Sequence, residues 1–203
     1  ERRNTELRRI ASRLRADSPT IIEDATLIAD ALVVVTGQEK DPHWNESARN
    51  FIEGLILHVA TEPAYEGRRN LLTVRGLVNC ALMRAPGGDK DDEEEDDEGP
   101  ADFAVKSEML ANARRIAESL GDEDLAGALE GAARDFYDKR ETEQAGVLST
   151  VRRHTKFLDY KAMRRVLEGD DFDLADLKGD PRGVMVYLCL PAGRMGPCNR
   201  WLR

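Results

Sequence analysis

The stretch Gly183-Val-Met-Val-Tyr-Leu-Cys-Leu190, followed by Pro191-Ala-Gly-Arg-Met-Gly-Pro-Cys-Asn-Arg-Trp201-Leu-Arg203, decides how the rest of the chain is read. It alone is dense enough in β-branched and aromatic residues, over enough consecutive positions, to predict a fully buried strand. Pro181 and Gly183 bound it on one side and Pro191 on the other, leaving room for about eight residues. A strand buried on both faces needs sheet neighbours, yet almost everything upstream carries helical periodicity. The sequence therefore predicts a mainly α chain closed by one strand, with a helix start at Asn199-Arg-Trp-Leu202. The sheet that receives this strand is expected outside these residues, in a larger α/β protein.

Upstream of the strand, the apolar positions fall into a series of helices. Leu7, Ile10, Ala11 and Leu14 share one face of a short basic helix. Ser18-Pro19 supplies a cap and a first-turn proline for the next, carried by Ile21, Ala25, Ile28, Leu32 and Val35 until Gly37. Asp41-Pro42 repeats the start signal. Trp44, Ala48, Phe51, Ile52, Leu55 and Val59 then form a wide apolar stripe that ends near Glu62-Pro63. This long helix is expected to be the centre of the domain, with Trp44 its largest anchor and Phe51, Leu55, Ile28 and Leu32 in the same core.

Further helices are predicted from Asn70 to Met83, through Met109, Ala113, Ile116 and Leu120, and, after a break at Gly121-Asp122, through Leu125, Leu129, Ala132 and Phe136. Val147, Leu148, Val151, Thr155 and Leu158 make another, and Asp159 is expected to cap a short one holding Met163, Val166 and Leu167. Phe172 to Leu177 reads as a turn leading to the strand. Residues 86–100 are Gly-, Pro- and acid-rich and are expected to be a disordered loop.

The net charge of −9 is not a uniform field. Asp89 to Glu98 holds nine acids and one lysine, which leaves the remainder close to neutral. Within that remainder the cations cluster. Arg2, Arg3, Arg8, Arg9, Arg13 and Arg15 open the chain, and Arg152, Arg153, Lys156, Lys161, Arg164 and Arg165 stand against Asp159 alone. Such clusters fit either phosphate backbones or solvated helix faces, and both readings stay open at this stage. Charged residues at 34% and aromatics at 5% favour helices over a sandwich or barrel. No apolar run reaches the length of a membrane span, no signal peptide opens the chain, and this segment is expected to be soluble.

Catalytic signatures are missing. None of the sixteen glycines precedes a lysine, so no Walker phosphate loop exists here, and GxSxG is absent. Cys80, Cys189 and Cys198 lack CxxC spacing, which makes reduced thiols the default, and His43, His58 and His154 lack metal-site spacing. The expectation is no catalytic, cofactor or metal site within the segment.

Two blocks carry a family resemblance. One is Asp24-Ala-Thr-Leu-Ile-Ala-Asp-Ala-Leu-Val33 followed by Asp41-Pro-His-Trp-Asn-Glu-Ser-Ala-Arg-Asn-Phe-Ile-Glu-Gly-Leu-Ile-Leu57. The other runs from Gly146-Val-Leu-Ser149 through Phe172-Asp-Leu-Ala-Asp-Leu177 to Val186-Tyr-Leu-Cys-Leu-Pro191 and Arg200-Trp-Leu-Arg203. Together they resemble the type IV secretion coupling proteins, the TraG/TraD-like conjugative DNA-transfer ATPases, over residues 17–84 and 103–203. The acidic run departs from the family pattern.

The resemblance implies an all-α domain inserted in a RecA-like α/β ATPase, between its two nucleotide-binding motifs. Residues 1–16 would lead in from the core, 17–180 would form the substrate-recognition domain, and 181–203 would return to the parent sheet. It further implies a homo-hexameric parent that uses ATP and magnesium and is anchored at the cytoplasmic face of the bacterial inner membrane. Its partners would be DNA with a relaxase, or a secreted effector protein, and the secretion channel. On the residues alone, the DNA- or partner-binding candidates are Arg152, Arg153, Lys156, Lys161, Arg164 and Arg165. The alternative is a free-standing helical nucleic-acid-binding module with no ATPase partner.

Overall fold

The computed structural model describes residues 18–35, 41–84 and 103–168, together with Gly179, Pro181, Gly183, Met185 and Tyr187. Among the described residues seven α-helices run in chain order: α1 Ile21–Leu32, α2 His43–Thr61, α3 Leu71–Cys80, α4 Ala104–Leu120, α5 Glu123–Tyr137, α6 Glu141–Thr155 and α7 Lys161–Leu167. Two 3-10 turns, Pro63–Tyr65 and Lys156–Asp159, join α2 to α3 and α6 to α7. The expected lead-in helix of residues 1–16 and the acidic loop between Asp89 and Glu98 lie outside the described residues. So does most of the expected strand Gly183–Leu190. Its described members are in no strand, and Met185 and Tyr187 are 75% and 77% exposed.

Local chemistry places the helix boundaries. Asp41 accepts the His43 N–H at 3.1 Å, and Asn70 accepts from both Leu72 and Thr73 at 3.0 Å, so α2 and α3 begin where a side-chain oxygen meets orphan donors. Asp122 does the same for α5 through Leu125. Gly121 ends α4 with φ of +67°, a left-handed conformation that glycine adopts without Cβ strain. The short link it makes with Asp122 folds α4 and α5 into a helical hairpin.

Two expected caps differ. Thr20, not Ser18, occupies the cap position of α1 and makes no side-chain cap bond; its hydroxyl donates to Asp24. Asp159 does not cap α7: Tyr160 holds that position, and the carboxylate is bound by Arg75 from α3. A two-pronged, charge-assisted bond outcompetes a single backbone N–H.

α2 is the axis of the domain and packs against α1, α3, α4, α5 and α6. From Phe51 to Thr61 all its residues but Glu53 are buried, so the apolar stripe has become nearly a whole circumference. Gly54 allows the closest crossing. A Cβ there would stand 2.5 Å from Cβ of Ala132, so α2 and α5 approach as only a glycine permits.

An aromatic cluster fills the centre. Phe51 stacks on Phe136 with centroids 3.9 Å apart, Tyr137 meets Phe136 edge-on at 4.8 Å, and the Tyr137 hydroxyl donates to the Ala81 carbonyl at 2.9 Å. Trp44 is not the largest buried anchor. It lies half-buried at the rim, where Gly146 on α6 leaves room for its ring. Leu32 and Leu55 are buried in the same core, while Ile28 packs on it from a half-buried position because Ala25 and Ala29 form the innermost line of α1. Arg84 and Phe103 form an antiparallel bridge that joins the two ends of segment 85–102.

Candidate nucleic-acid interface

Two polar constellations stand out against this helical core, one exposed and one buried. The exposed one is built by α6, the second 3-10 turn and α7. Arg152 and Arg153 occupy the last turn of α6, Lys156 opens the 3-10 turn, Lys161 opens α7, and Arg164 and Arg165 lie in its last turn. All six are exposed, and they line consecutive elements that pack on one another and on α3.

The arginines at helix C-termini complement the helix dipole, which accounts for about 0.3–1 kcal/mol each on general grounds. That explanation does not reach Lys161, which sits at the N-terminal end of α7, where a cation is disfavoured. It does reach Lys156, which holds the C-cap position of α6. Tyr160 adds a ring, 40% exposed, between these two lysines in the chain.

Asp159 is the single carboxylate between Arg152 and Arg165, and the structure engages it. Arg75 donates from Nε to Oδ1 at 3.0 Å and from Nη2 to Oδ2 at 2.7 Å. Its Nη1 also donates to Thr155 Oγ1 at 2.9 Å and reaches the Arg152 carbonyl at 3.5 Å. The Arg75 hydrogen bonds hold the Asp159 carboxyl below its ordinary range, with Arg164 and Lys156 contributing through their charge. Three cations from three elements thus converge on one carboxylate. Sequence reasoning found the six surface cations but missed Arg75. A signal existed: Arg75 is the only charged residue of α3, and a charge in an apolar helix needs a partner.

The buried constellation joins α2 to α4. The Asn112 amide donates to His58 Nδ1 at 3.2 Å and to Thr61 Oγ1 at 2.8 Å. Arg115 donates to Asn112 Oδ1 at 2.7 Å and to the Thr61 carbonyl at 2.7 Å, closing the C-terminus of α2. Because Arg115 fixes the amide oxygen, Asn112 presents its NH2 to His58, whose Nδ1 must accept. Protonated His58 would set donor against donor. Burial, followed by the Arg115 charge, pushes the His58 pKa down to about 4. Glu108 lies 3.9 Å from His58 Nε2, too far for a hydrogen bond, and is itself half exposed, so it does not reverse this. His58 is a neutral, structural histidine.

The chain belongs to the type IV secretory system conjugative DNA transfer family, whose sequence profile matches residues 12–196. The match runs across every helix described above and ties the chain to type IV secretion and conjugative DNA transfer. Comparison with curated proteins and with solved structures gave no match. Among the described residues no helix is long and apolar enough to cross a membrane.

Proposed function

We propose that the chain is a non-catalytic substrate-recognition domain of a conjugative coupling ATPase, and that it meets DNA phosphates through the ridge of α6, the second 3-10 turn and α7. The observation that carries this reading is the position of Lys161, exposed at the N-terminal end of α7 where the helix dipole disfavours a cation, in a run of cations whose one carboxylate is already engaged by Arg75. Phosphate contacts by Lys and Arg release counterions, which supplies most sequence-independent affinity. Membership of a DNA-transfer family supports the choice of DNA as the polyanion.

In this reading the domain is an insertion in a RecA-like core. The parent would be a membrane-anchored hexamer at the cytoplasmic face of the inner membrane. It would bind ATP and magnesium outside this segment and deliver DNA with a relaxase, or an effector protein, to the secretion channel. The absence of any Gly-Lys pair in the sequence supports leaving ATP hydrolysis to the parent. A reading frame that encodes a Gly-Lys-Ser or Gly-Lys-Thr loop before Glu1 and an apolar strand ending in Asp-Glu after Arg203 is the expected context. Finding neither would remove the insertion.

The ridge itself is tested by fluorescence anisotropy of a labelled oligonucleotide, titrated with the chain at several salt concentrations. Affinity should fall with a negative log–log slope, and Lys156→Glu with Lys161→Glu should weaken binding at least about tenfold at low salt. Binding that ignores salt, or that survives the double charge reversal unchanged, would overturn the assignment of DNA to this ridge.

A further inference from the structure

We propose that Arg75 is a positioning residue for the ridge: by occupying both oxygens of Asp159, it withdraws the one carboxylate among these cations from the path of an approaching phosphate. The inference rests on the reading of the ridge as a DNA-binding surface and adds to it a residue that lies 77 positions before Arg152 in the chain.

The geometry separates the roles of the two partners. The Arg75 side chain is 11% exposed and Asp159 47% exposed, so the carboxylate faces solvent while the guanidinium lies beneath it. From that depth Arg75 is poorly placed to reach a phosphate. All three of its nitrogens are directed at the protein: two at Asp159, the third at Thr155 Oγ1 and the Arg152 carbonyl. Its effect on a polyanion therefore passes through Asp159 and through the end of α6 that carries Arg152.

Protonation cannot substitute for this pairing. Hydrogen bonds from Arg75 are the first cause that lowers the Asp159 pKa, and without them the charges of Arg164 and Lys156 still favour the ionised carboxylate. An unpaired Asp159 would stand as a full negative charge beside Lys156 and Arg164, drawing those cations inward and repelling phosphate. A lysine in place of Arg75 keeps a charge but loses the fork that matches two carboxylate oxygens. It should mask Asp159 only in part.

The test compares Arg75→Met, Arg75→Lys, Asp159→Asn and the Arg75→Met/Asp159→Asn double variant in the anisotropy titration at low salt. Arg75→Met should weaken DNA binding about fivefold, the scale of one charge pair at a hydrated surface. Arg75→Lys should fall between it and the parent. The double variant should return to within about twofold of the parent, because no carboxylate then remains to be masked. The salt slope of Arg75→Met should match the parent, whereas Arg164→Gln should lower it by about 0.7–0.9 for the lost phosphate contact.

A role confined to holding α3 against the 3-10 turn predicts the opposite: a loss in Arg75→Met that Asp159→Asn does not repair. That result overturns this inference and leaves the ridge standing. If Arg75→Met fails to fold, Asp159→Asn alone decides, since binding weaker than the parent's would contradict the masking role. No binding by the parent chain overturns both readings together.

Discussion

Acid should destabilise this domain through His58, and the size of the effect follows from its surroundings. The imidazole is fully buried, its Nδ1 accepts from an Asn112 amide that Arg115 holds in place, and its pKa falls from 6.5 to about 4. Because the folded value lies below the unfolded one, the unfolded chain takes the proton first. Stability is full above about pH 6.5 and is lost as pH falls toward about 4. Integrating that difference gives a loss of about 2 kcal/mol by pH 5 and about 3 kcal/mol by pH 4.

Two carboxylates act nearby in the pH scale. Glu53, raised by burial, gains stability as pH drops, and Asp159, lowered by Arg75, loses it at still lower pH. A His58→Gln variant keeps a polar side chain beside Asn112, does not titrate, and cancels both carboxylates in the comparison. Urea unfolding followed by circular dichroism at pH 7, 6, 5 and 4 supplies the free energies. The parent should lose about 2–3 kcal/mol more than His58→Gln across that range. Curves that stay parallel within about 0.5 kcal/mol would refute the buried, donor-facing histidine on which the reasoning stands.

The aromatic core ranks its members. Phe136→Ala should cost about 3–5 kcal/mol, since it removes one ring of a buried stack, and Trp44→Ala about 1–2 kcal/mol, as a half-buried rim residue; urea midpoints of the two variants check the order. Gly54→Ala should destabilise by about 1–3 kcal/mol, because the new methyl meets Ala132 on a packed helix rather than a mobile side-chain tip; a thermal midpoint equal to the parent's would show that α2 and α5 separate freely. Deleting Asp89–Glu98 should leave stability within about 1 kcal/mol, since no apolar residue is removed and its flanks are joined at Arg84–Phe103. It should also tighten DNA binding at low salt by taking away eight net negative charges; a collapse of the thermal transition or an unchanged affinity contradicts the respective half.

Helical character, the order of the elements and most of their ends were legible in the residues. A 3.6-residue apolar repeat, Asp and Asn before it and Gly after it act over a few positions, so Asp41, Asn70, Gly121 and Asp122 mark boundaries without knowledge of the fold. The six cations of the ridge were visible as a cluster for the same reason, since five of them lie in short helical segments where near neighbours in sequence are near in space.

What the sequence could not supply is the set of contacts between distant elements. Trp44 read as the main anchor because it is the largest apolar side chain of α2, yet volume says nothing about depth. Gly146, one hundred and two positions later, leaves its ring at the rim while Phe51 meets Phe136 inside. Asp159 read as a helix cap because the next residues are helical, but a guanidinium from α3 holds both its oxygens. His58 read as one of three scattered histidines until α4 set Asn112 and Arg115 against it. Capping and periodicity are local energies and survive in the sequence alone. Burial depth, charge pairing and the protonation state of a buried histidine depend on which helices meet, and only the tertiary structure decides that.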